Sequence, residues 1–349
     1  MTATLAQIAL KIGVDVSLVS RVLRGDSQAR VSDKKRAMIL AVAEELGYRP
    51  NRIARSLRTQ QTNVLAMMTP DITNPFHSYL FRAVERAAAL VGYQVILCNT
   101  DDSSERFRQI VEKLAEGHVE GLLIATAQRE DPALDWLRKT NLPFVLLNRR
   151  TDTVEDPWIG PDDIQTGRLG AEYLSRLGHS RIAFLGGPST NNMVLREIGF
   201  RTGLKSLKSP IYEELIITGI EHREAAKQCV HRLLELPKSK QPTAFFVPHT
   251  QLSSAVFTCL YRSGLCLPKD VSLVGYSAFL SPDITSICAP LDEIGQLGTD
   301  FLIRHLRGGS SISSSSLHLR LPVTLVEGGT ASTLVTRPPS LSSFTPEGS

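Results

Sequence analysis

The segment that most constrains the fold begins at Thr62 and runs to about residue 328. Short apolar runs alternate there with helical patterns, and the series then starts again. "NVLAMM" reads as a strand, Phe76–Leu90 as a helix, "YQVILCN" as a strand and Glu105–Ala115 as a helix, and "GLLIAT" and "PFVLLN" are further strands around another helix. After "DPWIGPDD" come helix Gln165–Leu177, strand "RIAFLGG", helix Arg196–Leu207, strand "ELIIT", helix Arg223–Leu236, strand "AFFV", helix Leu252–Arg262 and strand "VSLVGY". Apolar strands separated by helices predict parallel sheets covered on both faces. The junctions "LVGYQVIL" and "RLGHSRIAFL" echo each other, with Gly92 and Gly178 as helix stops. Two similar lobes follow, with a ligand cleft expected at the carboxyl ends of the strands.

The chain has 349 residues, enough for two or three domains. Apolar content of 42% and charged content of 21% are ordinary for a soluble globular protein. No apolar window of about 18 residues exists, so no membrane-spanning helix is expected. The opening "MTATLAQIALKIG" lacks a small-residue cleavage site and reads as mature protein. Cysteines at 98, 229, 259, 266 and 288 show no C-x-x-C pairing, which suits a reducing cytoplasm. His77, His118, His179 and His249 lack metal-ligand spacing. "FLGGPS" lacks the glycine and lysine pattern of a phosphate loop, so its Gly-Gly reads as a close turn. No catalytic constellation, metal site or cofactor is expected.

Charge is unevenly spread. Residues 1–60 carry 11 Lys/Arg and 5 Asp/Glu, whereas the remaining residues carry 28 and 30. A basic head on a mildly acidic body predicts a polyanionic partner for the head, or simply a solvated basic face. Thr4 followed by Gln7 is a capping box, Leu5, Ile8, Ala9 and Ile12 recur at helical spacing, and Gly13 ends that helix. Asp15 caps a second helix, "VSLVSRVL". At about 100° per residue, Leu18, Val19, Val22 and Leu23 cluster on one side, and Val16, Ser17, Ser20, Arg21 and Arg24 on the other. This is a helix-turn-helix pattern whose second face suits a major groove. A third helix, "SDKKRAMILAVAEELG", is capped by Ser32 and stopped by Gly47. Its first turn carries Lys34, Lys35 and Arg36, a charge relieved by solvent or by phosphate.

"TLAQIALKIGVDVSLVSRVLRG", "VSDKKRAMILAVAEELGYRPNRIARSLRT" and "MMTPDITNPF", in that order and spacing, resemble the N-terminal region of the LacI/GalR family of bacterial transcriptional regulators. The resemblance extends to about residue 328. It implies a homodimer or tetramer that binds palindromic operator DNA under control of a small-molecule effector. It also implies an α/β fold: a helix-turn-helix head joined to a two-lobed effector domain like the type I periplasmic binding proteins. The implied organisation is 1–49 as DNA-binding head, 50–61 as hinge helix and linker, and 62–328 as effector and dimerisation domain. Lobe 1 takes 62–160 and 292–322, lobe 2 takes 161–291 and 323–328, and 329–349 is read as a disordered tail. Crossovers are placed near Gly160–Asp162, Pro290–Asp292 and Pro322–Thr324, with Glu293–Leu306 returning to lobe 1 as a helix and "GGSSISSSS" as a loop.

In this family the first two residues of the recognition helix read bases; here they are Val16 and Ser17. Asp15 stands where Ser or Thr is usual, Leu18 where threonine is usual, and Arg24 where asparagine is common. "NRIARSLRT" matches the hinge, with Asn51 as cap, Ala54, Arg55 and Ser56 on the groove, Arg52, Arg55 and Arg58 suited to phosphates, and Leu57 as a wedge into the minor groove. The alternative for Leu57 is packing against its dimer mate or the body.

The resemblance also implies the effector site. "NPFH" places Phe76 and His77 there, and "VLREIGF" places Arg196. Asn148, His249 with Thr250, and Ser277 with Ala278 stand where the family has carboxylate-bearing motifs, Arg149, Arg150 and His249 are expected nearby, and Asp162 is a further effector-binding candidate. Losing acceptors while keeping a cation favours an anionic effector, a sugar acid or sugar phosphate. "ARVSDKK" and "LREIGFRTGL" are similar to the fructose-repressor branch, whose ligands are sugar phosphates. The alternative is a neutral sugar held by Asp162 and backbone groups. A solute-binding protein or a sugar-processing enzyme on the same two-lobed fold are the competing classes.

Overall fold

The computed structural model describes residues 3–26, 28–48, 61–152, 156–277, 283–308 and 317–334. The chain forms two units, Met1–Thr62 and Asn63–Ser349. The hinge segment, including Asn51, Ala54, Arg55, Ser56, Leu57 and Arg58, lies outside the described residues, as does the serine-rich loop from 309 to 316.

In the head, α1 (Leu5–Ile12), α2 (Val16–Leu23) and α3 (Asp33–Glu45) pack around Ile8, Ala9, Val19, Val22, Ala29, Ile39 and Ala43. The capping box is present: Gln7 N donates to Thr4 Oγ1 at 3.3 Å, and Thr4 N donates to Gln7 Oε1 at 2.9 Å. Gly13 ends α1 at φ 72°, a left-handed position that costs glycine nothing. Asp15 accepts from Ser17 N at 2.7 Å, and Ser32 accepts from Lys35 N at 3.4 Å. Each cap satisfies an N–H that the first turn leaves without a helical partner.

The second unit holds two six-stranded sheets. The first contains β1 (Val64–Thr69), β2 (Gln94–Asn99), β3 (Gly121–Ile124), β4 (Phe144–Leu147), β5 (Trp158–Pro161) and β11 (His318–Leu321), in the order β11-β5-β4-β3-β1-β2 and parallel throughout. The second contains β6 (Ile182–Leu185), β7 (Ile216–Ile217), β8 (Ala244–Phe246), β9 (Ser272–Tyr276), β10 (Ser286–Cys288) and β12 (Thr324–Val326), in the order β12-β10-β9-β8-β6-β7. Its one antiparallel pair is β10 with β12. The chain passes between the sheets three times, after β5, after β10 and after β11. Central strands such as β1, β3 and β8 are buried along almost their whole length, as parallel strands under helices must be.

The structure corrects several expectations. β5, β10, β11 and β12 are strands that the periodicity did not reveal, because they are three or four residues long and sit beside crossovers. The helix expected from Arg196 begins at Asn191, so Arg196 lies in its second turn rather than at its start. Residues 329–334 are not a loose tail. Thr330 is buried and donates to Leu273 O at 2.7 Å, Leu334 N donates to Leu177 O at 2.7 Å, and Ser332 O lies 3.1 Å from His179 Nε2. Polar composition misled there, because these residues supply hydrogen bonds to lobe 2. Residues 335–349 lie outside the described residues.

Helices Asp163–Arg176 and Asn191–Ser206 cross at glycines. A Cβ on Gly167 would lie 1.8 Å from Arg196 O, and one on Gly199 would lie 2.1 Å from Ile164 O. No side chain fits either place, so the two backbones touch. That contact sets Asp163 against Arg196.

Candidate functional site

In the head, Val16 and Ser17 are exposed at the start of α2, while Val19 and Val22 are buried beneath them. Ser20 is half-buried and Arg24 exposed, with Arg24 Nε donating to Ser20 O at 2.9 Å. Arg21 is engaged within the head: Nε donates to Asp26 at 2.9 Å and Nη2 to Gln28 O at 3.2 Å. It braces the turn after α2 rather than standing free, an arrangement that helical angles alone cannot show. Thr4 is occupied by its capping box. Lys34 and Lys35 are exposed, and Arg36 Nη2 donates to Asp26 O at 3.3 Å.

In the second unit, the carboxyl ends of both sheets converge on a cavity of about 40 Å³. Its walls include Phe76, His77, Asn148 and Arg149 from the first lobe, and Arg196, His249 and Tyr276 from the second. Six of the expected effector residues therefore meet. Two do not line the cavity. Asp162 caps the helix Asp163–Arg176, accepting from Gln165 N at 2.9 Å. Ser277 accepts from Ala289 N at 3.2 Å, fastening the second crossover. Both sit one residue away from the side chain that matters, because a cap or a strand end turns the next residue to the other face. Tyr276 lines the cavity in place of Ser277, Asp163 lies behind it against Arg196, and Asn74, Thr190, Asn192 and Thr250 complete the polar wall. Thr190 and Asn192 were missed because their helix was expected to start later.

Gly187 also has a reason: a Cβ there would lie 2.7 Å from the His249 ring. The Gly-Gly of "FLGGPS" gives room to that imidazole. Asn148 and Ser277 hold left-handed backbone at φ 62° and 44°, as do Asp101 and Asp102 after β2. Such strain clusters at ligand-facing strand ends.

Arg196 is buried. Its Nε donates to Asp163 Oδ1 at 2.8 Å, its Nη1 to Pro248 O at 2.7 Å, and its guanidinium lies 3.8 Å from the centroid of the Tyr276 ring. Arg149 pairs with Asp102 at 2.6 Å. Arg150 stacks 4.9 Å over Trp158. Burial pushes Asp163 up to about 6 despite the pull of Arg196. Burial pushes His77 down to about 3, reinforced by Arg149, and pushes His249 down to about 3, reinforced by Arg196 and Arg149. Both imidazoles are neutral at physiological pH.

Among the described residues, seven buried side-chain atoms lack a partner: Thr69 Oγ1, His77 Nδ1, Asn148 Oδ1, Arg150 Nε, Arg196 Nη2, His249 Nδ1 and Tyr276 Oη. Five belong to residues lining this one cavity. Buried polar atoms are normally paired, so their convergence makes this cavity a candidate ligand site. A larger groove of about 370 Å³ lies at the amino ends of β4 and β5, between Arg138, Phe144 and His305. Its buried carboxylate, Asp156, is already bridged by Arg138. The smaller cavity is therefore the better candidate. Side-chain bonds join the lobes beside it: Gln251 Nε2 donates to Asp71 at 2.7 Å and to Thr73 Oγ1 at 3.5 Å, and Asn191 Nδ2 donates to Asp152 at 2.6 Å. The enclosed volume is far below the roughly 300 Å³ at which small-molecule pockets begin, so the lobes must part to admit a ligand.

No helix among the described residues is long and apolar enough to cross a membrane. The described residues also contain no group of three or more His, Cys, Asp or Glu able to hold a metal.

Comparison with known proteins places these features. Residues 4–51 match the model of bacterial regulatory proteins of the lacI family, and residues 171–331 match a periplasmic binding protein-like domain. The ribose operon repressor of Escherichia coli K12 is 31% identical over 336 residues, spanning 94% of this chain and all of that protein. A lac repressor dimer bound to operator and the anti-inducer ONPF superposes with a TM-score of 0.81 at 27% identity, over 95% of this chain and all of that one. A LacI family regulator from Enterococcus faecium with bound ribose gives 0.67 at 25% identity, over 78% of this chain and all of that one. With its head, its two-lobed body and a relative matched end to end, the chain belongs to the lacI family of bacterial regulatory proteins.

Proposed function

We propose that this DNA-binding transcriptional regulator is a repressor, binding a palindromic operator as a homodimer and switched by an anionic sugar derivative in the cleft. The observation that carries the effector site is the convergence of unpaired buried polar atoms from both lobes on one cavity. The unpaired Nη2 donor of Arg196 at the cavity, with Arg149 in the same wall, supports the anionic class. A neutral sugar is the second reading. It is favoured by the Arg196–Asp163 and Arg149–Asp102 ion pairs, which leave the cavity close to balanced, and by the ribose relatives.

In the head, Val16 and Ser17 read base edges, and Arg24, Lys34 and Lys35 supply phosphate contacts. Asn51, Ala54, Arg55, Ser56, Leu57 and Arg58 form the hinge that orders on DNA, with Leu57 wedged in the minor groove. One copy reads half a site, so a two-fold dimer reads a palindrome. Exposed Ile72, Leu90, Val91 and Ile96 on the first lobe supply apolar surface for that pairing.

Genome-wide footprinting of the purified protein tests this reading, followed by gel shifts across salt with sugars, sugar acids and sugar phosphates. A few discrete sites over a salt-sensitive background are expected. Release by an acidic sugar supports the anionic class, and release only by a neutral sugar replaces it. Uniform binding without discrete sites sinks the regulator itself.

A further inference from the structure

The Asp163–Arg196 pair is unusual in its burial. The side chains are 2% and 3% exposed, and the bond runs only through Nε. Pro248 O takes Nη1 and the Tyr276 ring covers the guanidinium face, leaving Nη2 as the free donor at the cavity. Asp163 therefore sets two things at once: the direction of the Arg196 fork and its net charge.

We propose that Asp163 is the positioning and specificity-determining residue of this cleft, a buried counter-ion that takes up a proton when an anion engages Arg196. This rests on the anionic reading above. An anion arriving at Nη2 places a second negative charge beside a carboxylate that shares the same guanidinium. Like charges in a dry site cannot both persist cheaply. Asp163 is the group able to yield. Burial already holds its carboxyl near 6, so it sits close to protonation at physiological pH. The proton comes from solvent and ends on an Asp163 oxygen, where it leaves Arg196 to pair with the ligand. A neutral polyol adds no charge and moves no proton.

The groups facing Asp163 pull in both directions, and burial is the largest influence. Arg196 and Arg150 favour its charged form, while Asp162 on the same helix end opposes it. Tyr276 is held neutral, raised by burial first, with Asp163 and Cys288 adding to the shift. His249, beside Arg196, is neutral and does not compete for the proton at physiological pH.

Calorimetry of the full chain with sulfate, which does not titrate in this range, tests the linkage. Heats are measured in two buffers of different ionisation enthalpy, with ribose as the neutral control. The native chain is expected to take up a proton with sulfate and none with ribose. Its sulfate affinity should fall on the order of tenfold from about pH 5.5 to about pH 8. Asp163→Asn should bind sulfate with no proton uptake and a flat pH profile, and Asp163→Glu should restore both. Because the buffer dependence is read on the native chain, an unfolded variant does not spoil the test. Sulfate binding without proton uptake by the native chain overturns the counter-ion role and leaves the anionic reading intact. Ribose binding with no sulfate binding by either chain overturns both.

Discussion

Gln251, from the helix that follows β8, donates to the Asp71 carboxylate that follows β1, a 2.7 Å bond between lobes beside the cleft. Asn191 and Asp152 do the same at 2.6 Å. Gln251→Ala should favour the open cleft by about 1 kcal/mol, a several-fold change in opening. Spin-label distances between the lobes and ligand dissociation rates should both increase. Unaltered distances would show that packing, not these bonds, holds the lobes together.

Removing Arg196 strands a buried carboxylate. Arg196→Met should cost about 3–5 kcal/mol of stability and abolish effector response, because an uncompensated buried charge remains. Adding Asp163→Asn should recover most of the stability but none of the response. Urea unfolding and gel-shift release read the two separately.

Acid should weaken the body through its two cleft histidines. Their folded values lie near 3, below the ordinary 6.5. The stability they contribute is present above about pH 6.5 and is lost as pH falls toward 3, because the unfolded chain gains protons first. Asp163 acts in the opposite sense: raised from 3.8 to about 6, it favours the fold below pH 4 and loses that contribution as pH rises through 6. His249→Asn should therefore flatten the acid limb, and Asp163→Asn the limb between 4 and 6. Urea midpoints across pH measure both; parallel curves for native and variants would refute the assignment.

The helix crossing tolerates no side chain. Gly167→Ala would place its methyl 1.8 Å from Arg196 O, so the helices must separate. We expect a loss of about 1–3 kcal/mol or more, together with weaker effector binding, since Asp163 and Arg196 lose their register. Alanine at Gly264, which has no neighbour within 4 Å but a φ of +79°, is a control that carries backbone strain without a packing clash.

In the head, exchanging Val16 and Ser17 should change operator preference while leaving the salt dependence of binding intact, because base contacts specify and phosphate contacts do not. Lys34→Ala should lower affinity on all sequences and reduce the salt slope by about one. Leu57→Ala should reduce operator affinity and bending without altering effector binding. Competitive gel shifts across salt and a bend assay check these outcomes.

Much was legible because local rules dominate where the chain is regular. Thr4, Gln7, Asp15 and Ser32 announce their helices through capping chemistry that acts over three residues. The long apolar strands β1, β3 and β8 announce a buried parallel sheet through composition alone. The helix-turn-helix, the repeated lobes and the approach of Phe76, His77, Asn148, Arg149, Arg196 and His249 to one cleft could be expected from residue pattern and resemblance. Other features depend on distant partners. Asp162 and Asp163 are adjacent identical residues, and only the helix start decides that one caps while the other faces Arg196. Arg21 lies on the expected face, but Asp26 and Gln28 claim its guanidinium. Residues 329–334 look featureless until His179 and Leu273 supply bonds from far along the chain. Sequence determined which elements form and which residue types crowd the cleft, since propensity, capping and periodicity are local. Tertiary structure alone decided which charges are already paired and which donors remain free, because burial and Coulomb energies depend on neighbours that no local pattern contains.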